Sequence, residues 1–372
     1  MGYNTRYERL ASGLEGKNMD NKKSGKGKKI ALIVLCVVLG IVLAGMLGVT
    51  VYAEYLLGRL NYVDKDATLP SLSQEEIDAI QNGEGESLDS TAPSIDENAI
   101  DWGEVYQTIG GDDSIVNIML IGQDRRPGEP RARSDSMILV TFNKEKKTIT
   151  MTSFMRDLYL DLPDGYRDDR INVAYYLGGM ELLDKTLYES FGVIVDANVE
   201  VDFDQFRYLI DLLGGVEIEL TEGEARYINN KIGSQRVEEG VQILDGEEAL
   251  WYARNRSTGG TSDFGRTDRQ RKVLDALIQA YKDQPLLEML GMVDDVLPMV
   301  TTDLAKSEVI TYVTALFPML SQCEIITQRI PVDGGYYNAN IRGMSVLVPY
   351  MDTNRQALID SLTNGDELET IG

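Results

Sequence analysis

The sequence predicts an α/β domain with a mixed central sheet flanked by helices, preceded by one N-terminal transmembrane helix. Short apolar runs alternate with stretches of helical periodicity, which indicates a sheet with helices packed on it. Two of the runs are separated only by the polar turn Asn143–Lys147, which predicts an antiparallel hairpin and therefore a mixed sheet. An uncharged apolar run, Ile30–Val51, precedes all of them.

The run Ile30–Val51 predicts a membrane anchor. About 20 apolar residues cross a bilayer, whereas the apolar core of a cleaved signal peptide has about 7–15. We therefore expect an uncleaved helix over residues 30–57. Lysines crowd residues 22–29, and acidic residues dominate 64–104. The positive-inside rule then places residues 1–29, a basic tail, in the cytoplasm and everything after about residue 55 outside the cell membrane.

Residues 58–105 have the composition of an acidic extracellular linker, rich in Pro, Ser, Gly, Asp and Glu. Within this stretch, Ser73 is a suitable N-cap for a short helix over Gln74–Ile80. The extracellular domain is expected to span residues 106–365, which is enough chain for one large core.

Composition excludes several functional classes. The formal net charge is −24, whereas nucleic-acid binding needs a broad basic face. Histidine is absent, which excludes His-based acid–base catalysis, Ser-His-Asp triads and His-ligated zinc. Cys36 and Cys323 are too few for a disulfide framework. A partner other than nucleic acid is therefore expected.

The first half of the domain is predicted to supply most of the sheet. Apolar runs typical of buried strands occupy Ile115–Ile121, Ser136–Phe142 and Thr148–Phe154. A helix is expected over Asn172–Phe191, with a break at the glycine pair Gly178-Gly179 because glycine is a poor helix former.

The second half of the domain is predicted to be mainly helical. Asp202 caps a helix over Phe203–Leu213, which Gly214-Gly215 ends. Val216–Leu220 alternates apolar and acidic residues, as a half-exposed strand does. The remaining predicted elements are a helix Glu247–Ala253 capped by Asp245, a long helix from Thr267 to Tyr281, a helix near Leu304–Phe317, a strand near Cys323–Ile330 and a helix near Asn354–Leu362.

Charged residues gather at one edge of the predicted hairpin. In an antiparallel pair, the start of the first strand and the end of the second lie at the same edge of the sheet. Arg131, Arg133 and Asp135 precede the first strand, and Arg156 and Asp157 follow the second. We therefore expect these side chains to meet in space.

Two carboxylates are expected among these arginines. Asp124 follows the strand Ile115–Ile121, with Arg125 and Arg126 behind it, and joins the group if that strand ends at the same edge. Mg²⁺ prefers few carboxylates together with substrate phosphates. Asp124 and Asp135 are therefore candidate ligands for Mg²⁺, or for Mn²⁺, with simple neutralisation of the arginines as the alternative.

A second group of arginines comes from the long helix. Arg266, Gln270, Val273 and Leu277 fall on one helical stripe, and the last two are apolar. Arg266 and Gln270 should therefore also face inward, near the N-terminus of the helix. A buried guanidinium needs a partner, and a phosphate at a helix N-terminus is a favourable one.

Arg254 and Arg256, just upstream of that helix, add two more guanidiniums. Forked, permanently charged donors suit phosphate oxygens better than other side chains do. Taken singly, each of these residues also fits a surface salt bridge, a helix cap or a turn. Because separate segments supply inward arginines to an acidic chain, the joint pattern predicts a site for an anionic phosphate.

These residues belong to a series of motifs. In chain order they are Leu120-Ile121-Gly122-Gln123-Asp124-Arg125, Arg133-Ser134-Asp135-Ser136, Ser153-Phe154-Met155-Arg156-Asp157, Asp211-Leu212-Leu213-Gly214-Gly215-Val216, Leu244-Asp245-Gly246-Glu247-Glu248-Ala249-Leu250, Arg254-Asn255-Arg256 and Asp263-Phe264-Gly265-Arg266 with Arg269-Gln270. Together with the anchor, the series resembles the LytR-CpsA-Psr family over roughly residues 113–283. One departure is Met155, where the family usually has Pro, and this bears on the shape of that loop.

The resemblance implies a phosphotransferase at the outer face of the membrane of Gram-positive bacteria. Such enzymes move a glycopolymer, for example teichoic acid or capsule, from a polyprenyl-pyrophosphate carrier to a peptidoglycan hydroxyl. By matching position, Arg156 would stabilise charge on the transferred phosphoryl group, and Asp124 and Asp135 would hold the metal. The residues implied to bind the pyrophosphate are Arg133, Arg254, Arg256, Arg266 and Gln270.

The resemblance also implies an apolar pocket for the polyprenyl chain. Candidates from the helical region are Val173, Leu182, Leu187, Phe206 and Ile210, which by pattern alone are core residues.

Several alternatives stay open at this point. The same site would serve a hydrolase that uses water as acceptor, or a ligase that attaches the glycan to a protein. A non-enzymatic hypothesis is that the protein is a wall sensor or transcriptional attenuator that acts through residues 1–29. The general base is also open between Asp124 and Asp157, because no histidine is available for this role.

Overall fold

The computed structural model describes residues 55, 58–59, 61–63, 72–82, 91–123, 133–258, 262–282, 295, 297–305, 308–309, 311–312 and 322–364. Contacts divide the chain into two units, Met1–Gly58 and Arg59–Gly372, and all that follows concerns the second. The predicted anchor over 30–57 and the basic tail lie outside the described residues, apart from Tyr55. Within the described ranges, no helix is both long and apolar enough to cross a bilayer.

Strands and helices are interspersed along the chain, as expected for an α/β domain. The strands are β1 (Asn61–Tyr62), β2 (Ile115–Gln123), β3 (Ser134–Asn143), β4 (Thr148–Phe154), β5 (Tyr159–Leu160), β6 (Asp169–Arg170), β7 (Ala197–Asp202), β8 (Val216–Leu220), β9 (Gly240–Leu244), β10 (Thr301–Thr302), β11 (Glu324–Ile330), β12 (Tyr336–Ile341) and β13 (Met344–Pro349). The helices are α1 (Gln74–Gln81), α2 (Ile171–Phe191), α3 (Phe203–Leu212), α4 (Glu222–Ile232), α5 (Gly246–Ala253), α6 (Ser262–Lys282) and α7 (Met351–Ile359).

Among the described residues, one sheet has seven strands in the order β1-β10-β7-β2-β3-β4-β11. Strands β2, β3 and β4 run antiparallel to their neighbours in this group, whereas β7 is parallel to β2 and β11 is parallel to β4. The predicted mixed sheet is therefore confirmed. Gln123 pairs with Ser134, so β2 ends at the edge of the sheet where β3 begins.

The helix boundaries follow the residues that suit them. Ser73, Asp202 and Asp245 each accept a backbone N–H and form a reciprocal capping box with the residue three positions later. Helix α2 is interrupted at Gly179, where φ is 66° and ψ is −149°, a conformation that glycine alone adopts readily. The predicted helix starts and the predicted break are confirmed at these positions.

Helices cover both faces of the sheet. One face packs on α2 and α7 in a core that includes Met119 and Leu187. The opposite face packs on α6 in a core that includes Val140 and the partly buried Leu274. A separate core, built by α3 to α6 and the β8–β9 hairpin, includes Val273 at 1% exposure. Helix α6 therefore connects the sheet with the helical lobe.

The long helix α6 begins at Ser262, not near Thr267 as predicted. Gly265 disfavours a helix by about 1 kcal/mol relative to alanine, but contacts of the neighbouring Asp263 and Phe264 with other elements hold the first turn. Arg266 consequently lies in the second turn of α6. It is still near the N-terminal end of the helix, but about one turn further along than predicted.

Helix α4, strand β9 and the β12–β13 hairpin were not predicted. In β9 the apolar residues Val241 and Ile243 are 60% and 69% exposed, so the strand inverts the usual pattern. The β12–β13 turn consists of Arg342 and Gly343, with φ of 47° and 78°. Glycine and Asn or Asp dominate such turns, and arginine at the first position gives no turn signal.

The described part of the predicted linker packs on the domain. Ile95, Ile100 and Trp102 contact the core beneath the β12–β13 hairpin. The Arg355 guanidinium donates hydrogen bonds to the carbonyls of Trp102 and Glu104 at 2.9 and 3.1 Å. The acidic composition of this segment predicted a linker, but a few apolar contacts and the hydrogen bonds from Arg355 hold its described part against the domain.

Candidate phosphate-binding site

The edge of the sheet brings together charged residues from three segments. Strands β3 and β4 are antiparallel, so Asp135 near the start of β3 lies beside Arg156, just past the end of β4. The Arg156 Nη1 atom is 3.4 Å from Asp135 Oδ1. The Arg256 Nη2 atom, from the segment between α5 and α6, is 4.0 Å from the same oxygen. The predicted meeting is confirmed for Asp135, Arg156 and Asp157, whose Oδ1 atom lies 3.4 Å from Arg156 Nε.

Asp263 is the carboxylate around which the arginines converge. Its Oδ2 atom accepts a hydrogen bond from Arg156 Nε at 2.9 Å and lies 3.4 Å from Arg266 Nη2. Its Oδ1 atom is 3.3 Å from Arg256 Nε. Sequence reasoning quoted Asp263 within a motif but gave it no role. Its spacing of three residues before the inward-facing Arg266 was the available signal, because residues three apart on a helix are neighbours.

Arg266 is the most deeply buried guanidinium of this group. The residue is 3% exposed, and its Nε atom makes no hydrogen bond within the described residues. An unsatisfied buried donor of this kind costs free energy unless a ligand accepts from it. Arg266 also lines a cavity together with Gln270, so the predicted inward stripe is confirmed.

The cavity has a volume of about 270 Å³. Its described lining residues are Gly122, Asp135, Ser136, Phe203, Tyr227, Lys231, Trp251, Arg254, Arg256, Arg266 and Gln270. The Arg254 guanidinium carbon lies 4.3 Å from the Phe203 ring centroid, and Lys231 Nζ lies 5.6 Å from that of Trp251. Cations and aromatic rings thus form one side of the cavity, and this aromatic contribution was not predicted.

Burial shifts the charge balance at Asp157. Burial raises the pKa of this carboxyl to about 6, Arg156 opposes the shift, and Asp263 adds to it. For Arg156, burial opposes protonation, but the carboxylates of Asp157, Asp263 and Asp135 raise its pKa above the ordinary value. Arg156 therefore stays charged, whereas Asp157 exchanges its proton near neutral pH. A titrating carboxyl beside fixed cations suits acid–base chemistry.

Arg269 holds the segment that carries Arg254 and Arg256. Its Nε atom donates to Glu224 Oε1 at 2.7 Å, and Nη1 donates to the Asn255 carbonyl at 3.0 Å. Both ends of this contact are largely buried. Asn255, fully buried between the two arginines, is thereby fixed to α4 and α6. Sequence reasoning included Arg269 in a motif without seeing this supporting role.

Met155 anchors the loop after β4, at the position where the resembling family usually has proline. The Met155 N–H donates to the Ile330 carbonyl at 2.8 Å, a hydrogen bond that proline cannot make. The Thr267 hydroxyl donates to the Met155 sulfur at 3.3 Å. These contacts tie the loop to β11 and α6, and Arg156 remains directed at Asp135 and Asp263.

Two predicted site residues are placed differently or fall outside the description. Asp124 lies outside the described residues, as do Arg125, Arg126 and Arg131. Arg133 is not among the described residues that line the cavity. It lies near Asp169: burial raises the pKa of Asp169 to about 6, and Arg133 is one of the cations that oppose this shift.

The predicted lipid-contacting residues belong to three different hydrophobic clusters of the described domain. Val173 and Leu182 belong to a cluster with α1. Leu187 lies in the core between the sheet and α2, whereas Phe206 and Ile210 belong to the core of the helical lobe. The apolar periodicity of their helices predicts that these residues are buried, but it does not predict which buried face contacts a ligand.

A different apolar surface continues from the cavity. Leu120 lies two residues before Gly122 on the same face of β2, and Leu274 and Ile278 continue the α6 stripe from Gln270. With Phe142 of β3, these side chains are only partly buried, although they pack on the sheet core. Leu120, Phe142, Leu274 and Ile278 are called the apolar strip below.

The donor set fits a magnesium ion only in combination with further oxygens. Asp135 contributes one carboxylate to the cavity, and the described residues contain no cluster of three or more metal-binding side chains. Mg²⁺ is commonly held by one or two carboxylates plus substrate phosphates and water. A cavity with one carboxylate among arginines is compatible with that mode.

Comparison with known proteins identifies the family of this chain. The family model described as the LytR_cpsA_psr family matches residues 79–358. The chain is 33% identical over 189 residues to the polyisoprenyl-teichoic acid–peptidoglycan teichoic acid transferase TagU of Halalkalibacterium halodurans, covering 50% of this chain and 60% of that protein. It is 33% identical over 256 residues to the regulatory protein MsrR of Staphylococcus aureus, covering 67% of this chain and 75% of that protein.

A solved structure of the LytR-CPS2A-psr family protein YwtF (TagT) with bound octaprenyl pyrophosphate lipid superposes with a TM-score of 0.53 at 26% identity, covering 75% of this chain and 99% of that one. The family match extends over most of the described domain and includes the segments that supply Asp135, Arg156, Asp263 and Arg266. The chain therefore belongs to the LytR-CpsA-Psr family.

Proposed function

We propose that this protein is a Mg²⁺-dependent phosphotransferase that moves a glycopolymer from a polyprenyl-pyrophosphate carrier to a peptidoglycan hydroxyl, at the outer face of the cell membrane. The observation that carries the proposal is the convergence of Arg156, Arg256 and Arg266 on Asp263, beside a cavity lined by Asp135. The transferase name of TagU and the pyrophosphate lipid bound to TagT support the choice of substrate.

The reaction follows from the chemistry of a diphosphate. The acceptor hydroxyl oxygen forms a bond to the sugar-bearing phosphorus, and the bond from that phosphorus to the bridging oxygen breaks. Polyprenyl phosphate leaves with the bonding electrons, and the hydroxyl proton passes to a carboxylate. Catalysis of this kind depends mainly on positioning and on stabilising the charge of the phosphoryl oxygens.

Arg156 is placed to stabilise the transferred phosphoryl group. Its guanidinium contacts both Asp135, which lines the cavity, and Asp263, where the other arginines converge. Arg254, Arg256, Arg266 and Gln270 would bind the pyrophosphate oxygens from the lining of the cavity. In this arrangement the phosphate takes over contacts that the arginines now make with Asp263 and Asp135. Arg133 is assigned a supporting position through Asp169.

Asp135, together with Asp124, would hold Mg²⁺, or Mn²⁺. When bound, the metal would supply positive charge to the phosphate oxygens, which lowers the repulsion met by the attacking hydroxyl. We assign the general-base role to Asp157 because it lies beside Arg156 and exchanges its proton near neutral pH.

We also propose that the polyprenyl chain lies along the apolar strip. This surface begins beside the phosphate cavity and remains partly exposed between the sheet and α6. An anchor over residues 30–57 would hold the domain at the membrane surface, where lipid-linked substrates reside.

The experiment that tests the function uses the full chain in detergent micelles with a radiolabelled polyprenyl-pyrophosphate glycopolymer. With peptidoglycan present, label is expected in the glycan; without it, the donor should be consumed slowly or not at all. Equal release of free glycopolymer in both conditions would support hydrolysis instead. Transfer of label to protein alone would identify the protein-glycan alternative.

The name of MsrR supports one second candidate, a regulatory role exerted through the cytoplasmic tail. Deletion of residues 1–20 separates the two. A transferase keeps its rate after this deletion, whereas a sensor that signals through the tail loses its effect on wall-related transcription. A deletion that abolishes signalling while purified protein transfers nothing would favour the regulator.

Replacement of Arg266 by methionine tests the buried guanidinium. We expect kcat/KM for the donor to fall about thirtyfold, because removal of one partner from a buried charge contact costs about 2 kcal/mol or more. The free energy of unfolding should fall only modestly, because Asp263 keeps Arg156 and Arg256 as partners after the substitution. Steady-state kinetics and urea denaturation measure the two effects.

The matched control is Arg226→Met, which removes an exposed arginine paired with Glu222 on the surface of α4. It should change neither the kinetics nor the stability appreciably, because surface ion pairs contribute little. A destabilised Arg266→Met protein with normal donor kinetics would show that Arg266 supports the fold and does not bind substrate.

Replacement of Leu274 by glutamine tests the apolar strip. The KM for a donor with a long polyprenyl chain should rise about tenfold, because burial of a leucine side chain stabilises a complex by about 1.5–3 kcal/mol. A donor with a single isoprene unit should bind equally well to both proteins. Val241→Gln, at an apolar position that is 60% exposed, is the control and should affect neither donor. An equal loss for both donors would contradict the assignment.

A further inference from the structure

An aromatic pair borders the carboxyl side of the phosphate site. The rings of Phe264 and Tyr336 stack with centroids 5.6 Å apart and planes inclined by 30°. The Arg329 guanidinium carbon lies 4.8 Å from the Phe264 centroid. These three residues are not among the described residues that line the phosphate cavity, and all three are partly exposed. The pair is therefore a surface next to the cavity.

The position of the pair is fixed relative to the reacting groups. Phe264 directly follows Asp263, whose carboxylate accepts from Arg156. The β12–β13 hairpin carries Tyr336. It is joined to the loop after β4, because the Leu347 N–H donates to the Asp157 carbonyl at 2.9 Å. Phe264 is thus held next to Asp263, and Tyr336 belongs to a hairpin that is hydrogen-bonded to the backbone of Asp157.

The chemistry of this surface differs from that of the cavity. Asn338 lies two residues after Tyr336 on the same face of β12 and is exposed, so an amide extends the aromatic surface. Arg329 forms an ion pair with Asp333, which reduces the positive charge near the rings. Flat, partly exposed rings beside an amide suit a ligand with an apolar C–H face and hydroxyl or acetamido edges. A pyranose ring has both, since its axial C–H groups pack against the negative face of an aromatic ring.

We propose that Phe264, Tyr336 and Asn338 bind a pyranose ring of the acceptor glycan, so that its hydroxyl is presented to Asp157. This inference rests on the proposed transferase function. The hydroxyl oxygen forms its bond to phosphorus as the bond to the carrier oxygen breaks. Its proton goes to the Asp157 carboxylate, and polyprenyl phosphate leaves with the bonding electrons. The donor phosphate occupies the cavity, and the acceptor sugar lies on the aromatic surface beside it.

The test compares Tyr336→Leu with Tyr336→Phe in the full chain. Leucine keeps apolar volume but has no flat face, whereas phenylalanine keeps the ring. In transfer assays, Tyr336→Leu should raise the KM for a soluble peptidoglycan tetrasaccharide about tenfold, the scale expected for loss of one aromatic stack. The KM for the lipid donor should not change, and Tyr336→Phe should behave like the natural protein.

Binding without turnover separates this proposal from the proposed function. The same tetrasaccharide is titrated into the protein by calorimetry in the absence of donor, and its affinity should fall about tenfold for Tyr336→Leu only. If the natural protein binds the sugar in this way but transfers nothing, the function fails and the sugar site stands. If it transfers normally and Tyr336→Leu leaves the acceptor KM and affinity unchanged, the sugar site is refuted.

Two further controls keep the result interpretable. Tyr350→Leu removes a ring that is 49% exposed and pairs with Tyr337 on the other face of the hairpin, and it should have no effect. Thermal denaturation of Tyr336→Leu reports its folding, and the donor KM of the same sample reports an intact phosphate site. A rise in the donor KM in place of the acceptor KM would assign the surface to the donor polymer and overturn the proposal.

Discussion

Replacement of Arg156 by alanine is expected to lower kcat for glycopolymer transfer by about three orders of magnitude. Removal of one fixed donor that stabilises transition-state charge typically costs a factor of about 10²–10³. Here the loss also leaves Asp135 and Asp263 facing the phosphate oxygens with less positive charge between them. The KM for the donor should change little by comparison. Steady-state kinetics at saturating donor measures the effect.

Arg156→Lys provides the matched variant for this prediction. Lysine retains one positive charge but cannot contact Asp135 and Asp263 together as a planar fork does. We expect it to recover less than a tenth of the lost rate. A lysine variant with full activity would show that charge alone matters, and an alanine variant with full activity would remove Arg156 from the mechanism.

Replacement of Asp157 by asparagine is expected to lower the transfer rate by about 10³ at pH 8 and to change the pH profile. General-base catalysis contributes a factor of about 10²–10⁴, and asparagine accepts no proton from the hydroxyl. Burial raises the pKa of Asp157 to about 6, with Arg156 and Arg170 opposing the shift and Asp263 reinforcing it. For the natural protein, kcat/KM should therefore rise as the pH increases through about 6. The variant should lack this rise.

The same pKa shift predicts how stability depends on pH. The ordinary pKa of this carboxyl is 3.8, so between about pH 4 and 6 the folded protein keeps a proton that the unfolded chain has released. The free energy of unfolding contributed by Asp157 should fall across that window as pH rises. Urea denaturation at several pH values would reveal this decline, and Asp157→Asn should reduce it. If the natural protein and Asp157→Asn show the same dependence of activity on pH, Asp157 is not the general base.

The parts of the site predicted from sequence follow from regular geometry. The hairpin β3–β4 fixes which strand ends share an edge, and this placed Asp135 beside Arg156 without coordinates. The 3.6-residue period of α6 placed Arg266 and Gln270 on the buried stripe. Capping residues such as Asp202 marked a helix start because their side chains satisfy free backbone donors.

The parts that were missed depend on contacts between distant segments. Asp263 gains its role from Arg156, more than a hundred residues earlier in the chain, and no local pattern records this pairing. The aromatic lining contributed by Phe203 and Trp251 depends on how α3 and α5 face the sheet. The lipid candidates such as Val173 were chosen from periodicity, which distinguishes buried from exposed positions but not one buried face from another.

Asp263 gives the three arginines a shared internal counterion. Without it, Arg156 and Arg256 would keep only Asp135 and Asp157 nearby, and the three cations would repel one another more strongly. With it, the three cations are gathered before substrate arrives, and a newcomer must outcompete a resident carboxylate. A singly charged anion gains little from such an exchange, whereas a diphosphate that engages several guanidiniums at once gains much. The site would thereby discriminate against singly charged anions.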